Sequence, residues 1–342
     1  MPNRQTIYRS KAPLRLGLGG GSSDLPDWVK EHGGNVLNAT INKYVYVTLI
    51  PKHGENGTTI NSSDYKTSIT YPGDMKLPYD GDLDLVKAVI NRVRVISKQD
   101  ELNCELYIRS DAPPGAGLGT SSTVVVAVLT AFLEALNIRL NNYEIAKLAW
   151  EIEREDMDMA GGYQDQYAAT FGGVNFMEFR SHDDIVINPL RLTKTVINEL
   201  QHNILLCYTG MVHTSADIIK EQNADKLDKG LCVGHIKNIA VQMKDCLLRN
   251  ELDEFGMLLS SEWNYKKRLS PKATNSTLEK MEQEAINSGA VGLKITGAGG
   301  GGMFIIYTDW RKKKKIAEKM QELGCQIWDF TITKTGFETW SV

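Results

Sequence analysis

The sequence predicts a protein of mixed helices and strands with about two domains. Two observations support this: the chain has 342 residues, and short strand-like and helix-like segments alternate along its first half. A third observation concerns glycine, much of which falls into three clusters, Gly17–Gly21, Gly115–Gly119 and Gly297–Gly302. Glycine lets a backbone approach a ligand closely, so these clusters indicate where a functional site lies.

The composition is that of an ordinary globular protein and excludes several classes of function. Hydrophobic residues make up 42% and charged residues 24% of the sequence, which is typical of a chain that buries a full core. The formal net charge is −3, so a strongly basic nucleic-acid-binding surface is not expected. The five cysteines are odd in number and form no CxxC pair, which argues against a disulfide framework or a thiolate zinc site.

The sequence also predicts a cytoplasmic protein without a membrane or nucleic-acid partner. The first residues contain no apolar region of the kind that a secretory signal requires. The most apolar stretch, Val124–Leu133, has about half the length that a membrane span needs. We therefore expect small-molecule partners and a monomer or homodimer.

Local patterns predict the first elements in order. Tyr44–Ile50 and Leu106–Arg109 are rich in β-branched and aromatic residues, which favours strands. Apolar residues recur at helical spacing across Leu83–Ser97. The polar stretch Lys52–Gly81 is interrupted by glycine and proline, which favours hairpins and loops.

The remaining elements follow the second glycine cluster. An apolar run over Val124–Leu136 predicts a buried helix, and a second helix is predicted from Asn142 to about Asp158. The polar segment that begins at Ser181 is linker-like, so we expect a domain boundary near residue 180. The elements predicted elsewhere are strands at Val174–Phe179 and Ile204–Tyr208, helices at about Ile236–Ser260 and Ser276–Ser288, a glycine run between two strands, and a basic helix.

The second glycine cluster has the layout of an anion-binding site. A strand, a glycine loop and a helix follow one another, and the helix begins beside the hydroxyls of Thr120, Ser121 and Ser122. A helix N-terminus offers unpaired N–H groups and the positive end of the helix dipole, which suit a phosphate. The segment lacks the lysine of a Walker A loop and does not match a dinucleotide-binding fingerprint. A tight turn before a buried helix is the alternative interpretation.

The two outer clusters also suggest ligand contacts. Four consecutive glycines, Gly299–Gly302, lie between strand-like segments, where they cost backbone entropy unless something must approach the backbone closely. In the first cluster, Asp24 has the chemistry to accept hydrogen bonds from a polyol, and Arg15 has the charge to meet a phosphate. Taken alone, the first cluster is equally compatible with a turn and an ordinary surface aspartate. A flexible linker is the alternative interpretation of the third cluster, and the strand-like residues on both sides argue against it.

The three clusters, in this order and at this spacing, resemble the motifs of the GHMP kinase superfamily, which includes galactokinase, homoserine kinase and mevalonate kinase. Pro113–Ser122 looks like the second motif of that family, and Lys294–Gly302 looks like the third. The first motif is similar to that of the D-glycero-D-manno-heptose 7-phosphate kinase branch, to which the fucokinase domain is related. The segments that carry this similarity are Ala12–Pro26, Gly33–Ile41, Gly161–Gly173 and Trp263–Ser270.

The resemblance implies a two-domain α+β GHMP kinase fold with ATP and Mg²⁺ bound between the domains. Residues 1–180 would form a ribosomal protein S5 domain 2-like N-terminal domain, and residues 181–342 a ferredoxin-like α/β C-terminal domain. The implied reaction is ATP-dependent phosphorylation of O1 of D-glycero-α-D-manno-heptose 7-phosphate to the 1,7-bisphosphate, for GDP-heptose and surface polysaccharide synthesis. The alternatives are another anomeric sugar kinase, of the fucokinase or galactokinase type, and a non-catalytic sensor that binds ATP and sugar.

The resemblance further implies roles for individual residues. Asp165 and Arg15 are the expected catalytic residues. Ser121 and Glu153 are the expected Mg²⁺ ligands, and the alternatives to Glu153 are Glu151 and Asp156. The residues expected to bind ATP are Pro114, Gly115, Ala116, Gly117, Leu118, Gly119, Thr120, Ser121, Ser122, Gly299 and Gly300.

Contacts to the acceptor are expected on the other side of the site. The expected substrate-binding residues are Gly20, Gly21, Ser22, Asp24, Lys43, Gly162, Gln164, Lys267 and Arg268. An acceptor that already carries a phosphate needs a second cationic pocket. The candidates for this pocket are Arg15, Lys43, Lys266, Lys267 and Arg268, of which the last three form a basic triplet. A solvated helix face is the alternative interpretation of that triplet.

Overall fold

The structure is a computed structural model that describes residues 5–52, 54, 57–99, 101–211 and 227–342. Over these residues the chain forms two β-sheets with helices packed against them, which confirms the mixed α+β class. None of the helices in the described ranges is both long enough and apolar enough to cross a bilayer.

The first sheet is the larger one. Its strands are β1 (Tyr8–Gly19), β2 (Gly34–Pro51), β3 (Thr58–Ser62), β4 (Thr67–Tyr71), β5 (Cys104–Ser110), β6 (Val174–Phe179), β7 (Ile185–Pro189) and β12 (Glu338–Ser341). The main path is β12-β1-β2-β5-β3-β4, and β6 pairs with the first residues of β2 and with β7. The pairs are antiparallel except for β3 with β5, which is parallel.

The second sheet is formed by the later part of the chain. Its strands are β8 (Ile204–Tyr208), β9 (Ala290–Ile295), β10 (Met303–Thr308) and β11 (Gln326–Trp328). They lie in the order β11-β8-β10-β9, and all pairs are antiparallel. The third glycine cluster therefore connects the two neighbouring strands β9 and β10.

Helices cover both sheets. They are α1 (Pro26–His32), α2 (Asp84–Ser97), α3 (Thr120–Ala135), α4 (Asn142–Glu151), α5 (Gln164–Phe171), α6 (Lys194–Asn203), α7 (Leu227–Arg249), α8 (Leu252–Leu269), α9 (Ser276–Asn287) and α10 (Trp310–Glu322). A π-helical turn, Ile152–Asp156, extends α4, and a 3₁₀ turn, Pro271–Ala273, follows α8. π-Helical turns are rare and often occur at functional sites.

Strand β1 contains the first glycine cluster up to Gly19. Its pairing with β2 is irregular at two places, between Pro13 and Arg15 and between Gly17 and Gly19. Irregularities of this kind bend a strand and redirect its side chains. They bracket Arg15, so the strand presents this arginine in a direction that regular pairing would not give. Sequence reasoning did not identify β1 as a strand.

Helix α3 is buried among β1, β2 and α2 because it is apolar on nearly every side. Val125, Val126 and Leu129 are fully buried in it. The loop before it turns sharply through Gly115, Gly117 and Gly119, each with φ near +75° (77°, 76° and 73°). Residues with a side chain rarely adopt this conformation, so the loop requires glycine there.

The main hydrophobic core is continuous between the two sheets. It joins Leu14 of β1 and Val126 of α3 to Leu206 of β8, Phe255 of α8 and Ile305 of β10. A smaller cluster lies on the other side of the second sheet, between β9, β10 and helices α9 and α10. The two sheets are thus packed on one another through shared apolar side chains.

Two regions are organised differently from what their local sequence patterns suggest. The long helical stretch predicted over about Ile236–Ser260 is helical but divided into two helices: α7 ends at Arg249 and α8 begins at Leu252, with Asn250 in the left-handed conformation (φ 61°) between them. The polar segment after residue 180 is the turn of the β6–β7 hairpin, where the Arg180 N–H donates to the Asp184 carbonyl. The first sheet therefore includes residues 185–189 and 338–341, and the division at 180 stays a prediction.

Candidate active site

A cavity of about 480 Å³ lies where the first and third glycine clusters meet the N-terminus of α3. Residues from both halves of the chain line it. Among them are Arg15, Ser22, Asp24, Tyr65, Pro114, Gly115, Gly117, Gly119, Thr120, Ser121, Ser122, Glu153, Arg154, Gly161, Gly162, Gln164, Asp165, Lys266, Gly297 and Ala298. Most of the predicted site residues thus lie around one cavity, although their positions in the sequence are far apart.

Arg15 and Asp165 form a two-point ion pair in this cavity. Arg15 Nε donates to Asp165 Oδ1 at 2.7 Å, and Nη2 donates to Oδ2 at 2.9 Å. Arg15 Nη1 also donates to the carbonyl of Gly117 at 2.6 Å. The arginine side chain is 5% exposed and the aspartate 21%. The pair therefore holds the carboxylate in one orientation, with part of it facing the cavity.

Gly119 lies directly against this pair. A Cβ at this position would be 3.3 Å from Asp165 Cγ and 3.4 Å from Arg15 Cγ. Gly119 is also the N-cap of α3, and no side chain caps the helix there. The first turn of α3 therefore offers its N–H groups to the cavity, as an anion-binding helix N-terminus does.

The hydroxyl groups at the start of α3 face different partners. Ser121 is exposed and lines the cavity. Thr120 Oγ1 is buried and has no hydrogen-bond partner in the described chain. Ser122 is buried, and its Oγ donates to Glu153 Oε2 at 2.6 Å. The hydroxyl that touches Glu153 is thus that of Ser122, whereas Ser121 is the one open to a ligand.

Glu153 is the acidic residue of the 151–156 region that reaches the cavity. It is 2% exposed, and the same Oε2 also accepts from Gln166 Nε2 at 2.6 Å. The alternatives Glu151 and Asp156 both form ion pairs with Arg92, at 3.3 Å and 2.6 Å, and neither lines the cavity. The π-helical turn separates Glu153 from these neighbours by turning it toward α3.

Asp24 and Gln164 form a second polar group on the opposite side of Asp165. Asp24 Oδ2 accepts from the Gln164 N–H at 3.1 Å, and Gln164 Nε2 lies 3.2–3.3 Å from both oxygens. Burial, aided by the negative charge of Asp165, raises the pKa of Asp24 despite these hydrogen bonds. Gly162 is required here, because a Cβ would be 2.0 Å from Asp24 Oδ2.

Lys266 of α8 is the cation of the basic triplet that lines the cavity. It is 3% exposed, and its Nζ donates to Ser22 Oγ at 2.9 Å. Burial and the neighbouring Lys294 lower the pKa of Lys266 to about 8. Gly21 lies against it, since a Cβ there would be 3.5 Å from both Lys266 Nζ and Gln164 Nε2.

The other cations predicted to bind substrate lie away from the cavity. Lys267 pairs with Glu282 at 2.8 Å, and Arg268 stacks on the ring of Tyr265. Lys43 lies 5.9 Å from the centre of the Trp328 ring. The structure therefore gives these three residues no contact with the cavity, because successive residues of α8 point in directions about 100° apart and Lys43 faces the second sheet.

Several glycine-loop residues pack beneath the residues that line the cavity. Ala116 and Leu118 are fully buried, and the Leu118 carbonyl accepts the Arg15 N–H. Gly300 N–H donates to the Ala273 carbonyl at 2.6 Å, and a Cβ on Gly299 would collide with Ala273. Gly20 is held in the same way, because a Cβ there would be 1.9 Å from the Asn35 carbonyl oxygen.

Sequence reasoning missed some cavity residues. Arg154 lines the cavity with its Nε buried and unpartnered in the described chain, and Gly161 packs on its guanidinium group. Tyr65, Gly297 and Ala298 also contribute to the lining. The position of Arg154 next to Glu153 was a usable signal, whereas Tyr65 lies in a hairpin turn that no local pattern connects to the site.

Comparisons with known proteins agree with this geometry. Models of the GHMP kinase N-terminal domain and of the GHMP kinase C-terminal domain match residues 84–173 and 243–324. These segments lie on opposite sides of the predicted boundary at 180. The D-glycero-alpha-D-manno-heptose 7-phosphate kinase of Campylobacter jejuni is 40% identical over 98% of this chain and 99% of its own.

Two further relatives extend the comparison. The structure of a D-glycero-D-manno-heptose 1-phosphate kinase from Bacteroides thetaiotaomicron has a TM-score of 0.84 and 34% identity, covering 98% of this chain and 99% of that one. A bifunctional fucokinase/GDP-fucose pyrophosphorylase of Arabidopsis thaliana is 28% identical over 91% of this chain but 31% of its own. The cavity and its glycine loops agree with these matches, and the matches show that the chain belongs to the GHMP kinase family and has its two-domain fold.

Proposed function

We propose that this GHMP kinase transfers the γ-phosphoryl group of ATP to O1 of D-glycero-α-D-manno-heptose 7-phosphate, giving the 1,7-bisphosphate. The observation that carries the chemistry is the Arg15–Asp165 pair beside the uncapped N-terminus of α3. The 40% identity to a heptose 7-phosphate kinase over 98% of the chain supports the acceptor. The product would serve GDP-heptose and surface polysaccharide synthesis, and the reaction would take place in the cytoplasm, where ATP is available.

The triphosphate of ATP is proposed to lie against the first turn of α3. The N–H groups there are free of side-chain caps, and Gly115, Gly117 and Gly119 allow close approach of the loop. Thr120 Oγ1, buried without a partner in the described chain, would gain one from a phosphate oxygen. Because phosphoryl transfer requires mainly positioning and charge stabilisation, these groups supply much of what the reaction needs.

Asp165 is proposed to act on the acceptor hydroxyl. Each of its oxygens accepts one N–H from Arg15, and the remaining lone pairs can accept the hydroxyl proton of O1. The carboxylate orients O1 and takes its proton as the bond from O1 to the γ-phosphorus forms. The bond from that phosphorus to the bridging oxygen breaks, and ADP leaves. Arg15 keeps the carboxylate aligned and balances its charge.

The residues present fit a magnesium ion. Mg²⁺ prefers hard oxygen ligands such as carboxylate, hydroxyl and phosphate, and Glu153 and Ser121 offer a carboxylate and an exposed hydroxyl on the cavity wall. When bound, the ion would neutralise charge on the phosphates of ATP. Ser122 and Gln166 hold the Glu153 carboxylate in position through its Oε2 atom.

The sugar is proposed to bind between Asp24 and Gln164. Ser22 and Gly162 line this side of the cavity, with Gly162 packed directly against the Asp24 carboxylate, and the expected contacts Gly20 and Gly21 precede Ser22 in the same loop. Asp24 would accept hydrogen bonds from sugar hydroxyls, and Gln164 both donates and accepts. The protein is expected to work as a monomer or homodimer.

A fucokinase-type activity is the second candidate, favoured by the match to the Arabidopsis thaliana enzyme over 91% of this chain. Its acceptor is a neutral sugar. A buried ammonium group at Lys266 in the cavity favours an anionic acceptor instead. A non-catalytic sensor is disfavoured because Arg15 and Asp165 form an intact pair.

The test is ADP release by the purified protein with ATP, Mg²⁺ and a panel of acceptors. The panel contains heptose 7-phosphate, mannose 6-phosphate, fucose, galactose, mevalonate and homoserine. We expect release with heptose 7-phosphate far above the other acceptors. ADP release with fucose or galactose alone would contradict the proposed acceptor but support the proposed phosphoryl transfer to a sugar. Asp165→Asn should lower kcat by about 100- to 10,000-fold while ATP still binds, whereas a sensor would show no turnover to lose.

A further inference from the structure

Lys266 is a buried ammonium group that has no direct counter-ion among the described residues. It lies 3% exposed at the base of the cavity, and its one hydrogen bond in the described chain goes to the neutral hydroxyl of Ser22. No carboxylate of the described residues forms an ion pair with it. Burying a charge is costly unless an opposite charge or several hydrogen bonds accompany it. Within the part of the chain that the structure describes, two of its three N–H donors have no partner.

The nearby acidic groups form no ion pair with Lys266 in the described chain. Glu262, one turn earlier on α8, is fully buried and pairs through Oε1 with Lys294 of β9 at 2.8 Å, whereas its Oε2 has no hydrogen-bond partner among the described residues. Asp24 accepts hydrogen bonds from the Ser22 N–H and from Gln164. Arg15 is paired with Asp165. The charged groups that face Lys266 are therefore Glu262, Lys294, Asp24 and Arg15, and two of these four are themselves cations.

The loop around Lys266 is held in a strained shape. Ser22 has φ +82°, in the left-handed region that residues with side chains rarely adopt. Its N–H donates to Asp24 Oδ1 at 3.1 Å, and its Oγ accepts from Lys266. Such strain persists where surrounding contacts enforce it, and it is concentrated at ligand-binding sites. The Ser22 hydroxyl thus fixes the position of the ammonium group in the cavity wall.

We infer that Lys266 binds the anionic group which the acceptor already carries, so that this residue selects phosphorylated over unphosphorylated sugars. The inference rests on the proposed function for the identity of the acceptor. It replaces the basic triplet of the sequence analysis with a single residue, because Lys267 and Arg268 point away from the cavity. Glu262 and Lys294 act as positioning residues, since their pair sets the charge next to Lys266.

The test compares Lys266→Met with Lys314→Met, a control on α10 whose side chain is 88% exposed. The acceptors are heptose 7-phosphate and the same heptose without phosphate. For Lys266→Met we expect KM for the phosphorylated acceptor to rise about 10- to 100-fold, the effect of losing a charge-assisted contact. KM for the unphosphorylated heptose and KM for ATP should stay within about threefold. The control should match the parent with both acceptors.

The pH dependence provides a second readout. Lys266, with a pKa of about 8 in the free enzyme, loses its proton above that pH. The kcat/KM of the parent for heptose 7-phosphate should then fall by up to about tenfold per pH unit above 8. The Lys266→Met profile should be flat over the same range. Activity on the unphosphorylated heptose shows that the variant is folded, and Lys266→Gln repeats the comparison with a polar side chain.

Three results would overturn the inference. One is an unchanged preference for the phosphorylated acceptor in Lys266→Met. Another is a rise in KM for ATP, or an equal loss of kcat with both acceptors. Either result would mean that the ammonium group of Lys266 acts on ATP rather than on the acceptor. The third concerns binding of inorganic phosphate to the enzyme saturated with a non-hydrolysable ATP analogue, measured by calorimetry: equal affinity in parent and variant would contradict the role. If heptose 7-phosphate is no substrate but phosphate binding requires Lys266, the proposed acceptor fails and the anion site stands.

Discussion

Replacing Arg15 with lysine separates the positive charge of this residue from its two-point geometry. The guanidinium group makes two hydrogen bonds to Asp165 and one to the Gly117 carbonyl. A lysine ammonium is a compact point charge that can keep about one of these three contacts. At about 1.5–3 kcal/mol for each lost bond to a charged group, offset in part by water reaching the exposed part of Asp165, the free energy of unfolding should fall by about 2–4 kcal/mol.

The effect on turnover follows from orientation. Without the second contact the Asp165 carboxylate can rotate, so O1 is no longer held in line with the phosphorus. We expect kcat to fall about 10- to 100-fold, which corresponds to about 1.4–2.8 kcal/mol in the transition state. KM for ATP should change less than kcat, since α3 is untouched and the glycine loop loses only the Arg15 Nη1 contact to the Gly117 carbonyl. The assay is ADP release at saturating substrates, alongside urea unfolding.

A matched control is available in the same chain. Arg92 forms a two-point pair with Asp156, at 2.9 Å and 2.6 Å, outside the cavity. Arg92→Lys makes the same chemical change at a surface site, so it should cost less than about 1 kcal/mol of stability and leave kcat within twofold. If Arg15→Lys also keeps kcat within twofold while its stability falls, the pair is structural and the alignment argument is refuted.

Three further predictions concern the rest of the site. Gly162→Ala places a Cβ 2.0 Å from Asp24 Oδ2, so KM for the acceptor should rise at least about tenfold; an unchanged KM in steady-state kinetics would remove Asp24 from the acceptor site. Ser122→Ala deletes a 2.6 Å hydrogen bond to buried Glu153 and should lower stability by about 1–3 kcal/mol in urea unfolding, and equal stability would mean that Gln166 satisfies the carboxylate alone. The folded-state pKa of Lys266, about 8, lies below its ordinary value of 10.5. Between these pH values the unfolded chain binds more protons than the folded chain, so this residue makes the free energy of unfolding rise with pH. Urea unfolding at pH 8 and pH 10 should show this rise in the parent but not in Lys266→Met, and the same slope in both proteins would contradict the prediction.

Local patterns predicted elements whose identity depends on nearby residues. β6 and β8 begin and end at the predicted residues, Val174–Phe179 and Ile204–Tyr208, and the third glycine cluster does join two strands. These elements carry continuous apolar or β-branched runs, so neighbouring residues suffice to identify them. The break at Asn250 was missed because asparagine enters the left-handed conformation without glycine or proline to mark it.

In the candidate site, too, the sequence motifs identify individual residues, whereas the contacts between them depend on the fold. Arg15 and Asp165 could be named from motifs, but their pairing joins residues 150 positions apart. Within the basic triplet, helical spacing contained a usable signal. Lys266 follows buried Leu259 and Trp263 by seven and three residues, which places it on their face of α8. Arg268 falls off that face, and Lys267, four residues after Trp263, lies at its edge. Only the packing of α8 against the loop at Ser22 turns that face toward the cavity, and no local pattern reports such packing.

The position of β12 has a consequence for how the enzyme is made. β1, which carries Arg15, is hydrogen-bonded on one side to β2 and on the other to β12, and the Ile7 N–H donates to the carbonyl of Val342. A ribosome delivers β1 early and β12 after every other described element. During synthesis β1 therefore has one unpaired edge until β12 is made, and other nascent chains can pair with that edge. A chain that stops short of residue 338 leaves this edge unpaired and should remain a client of chaperones.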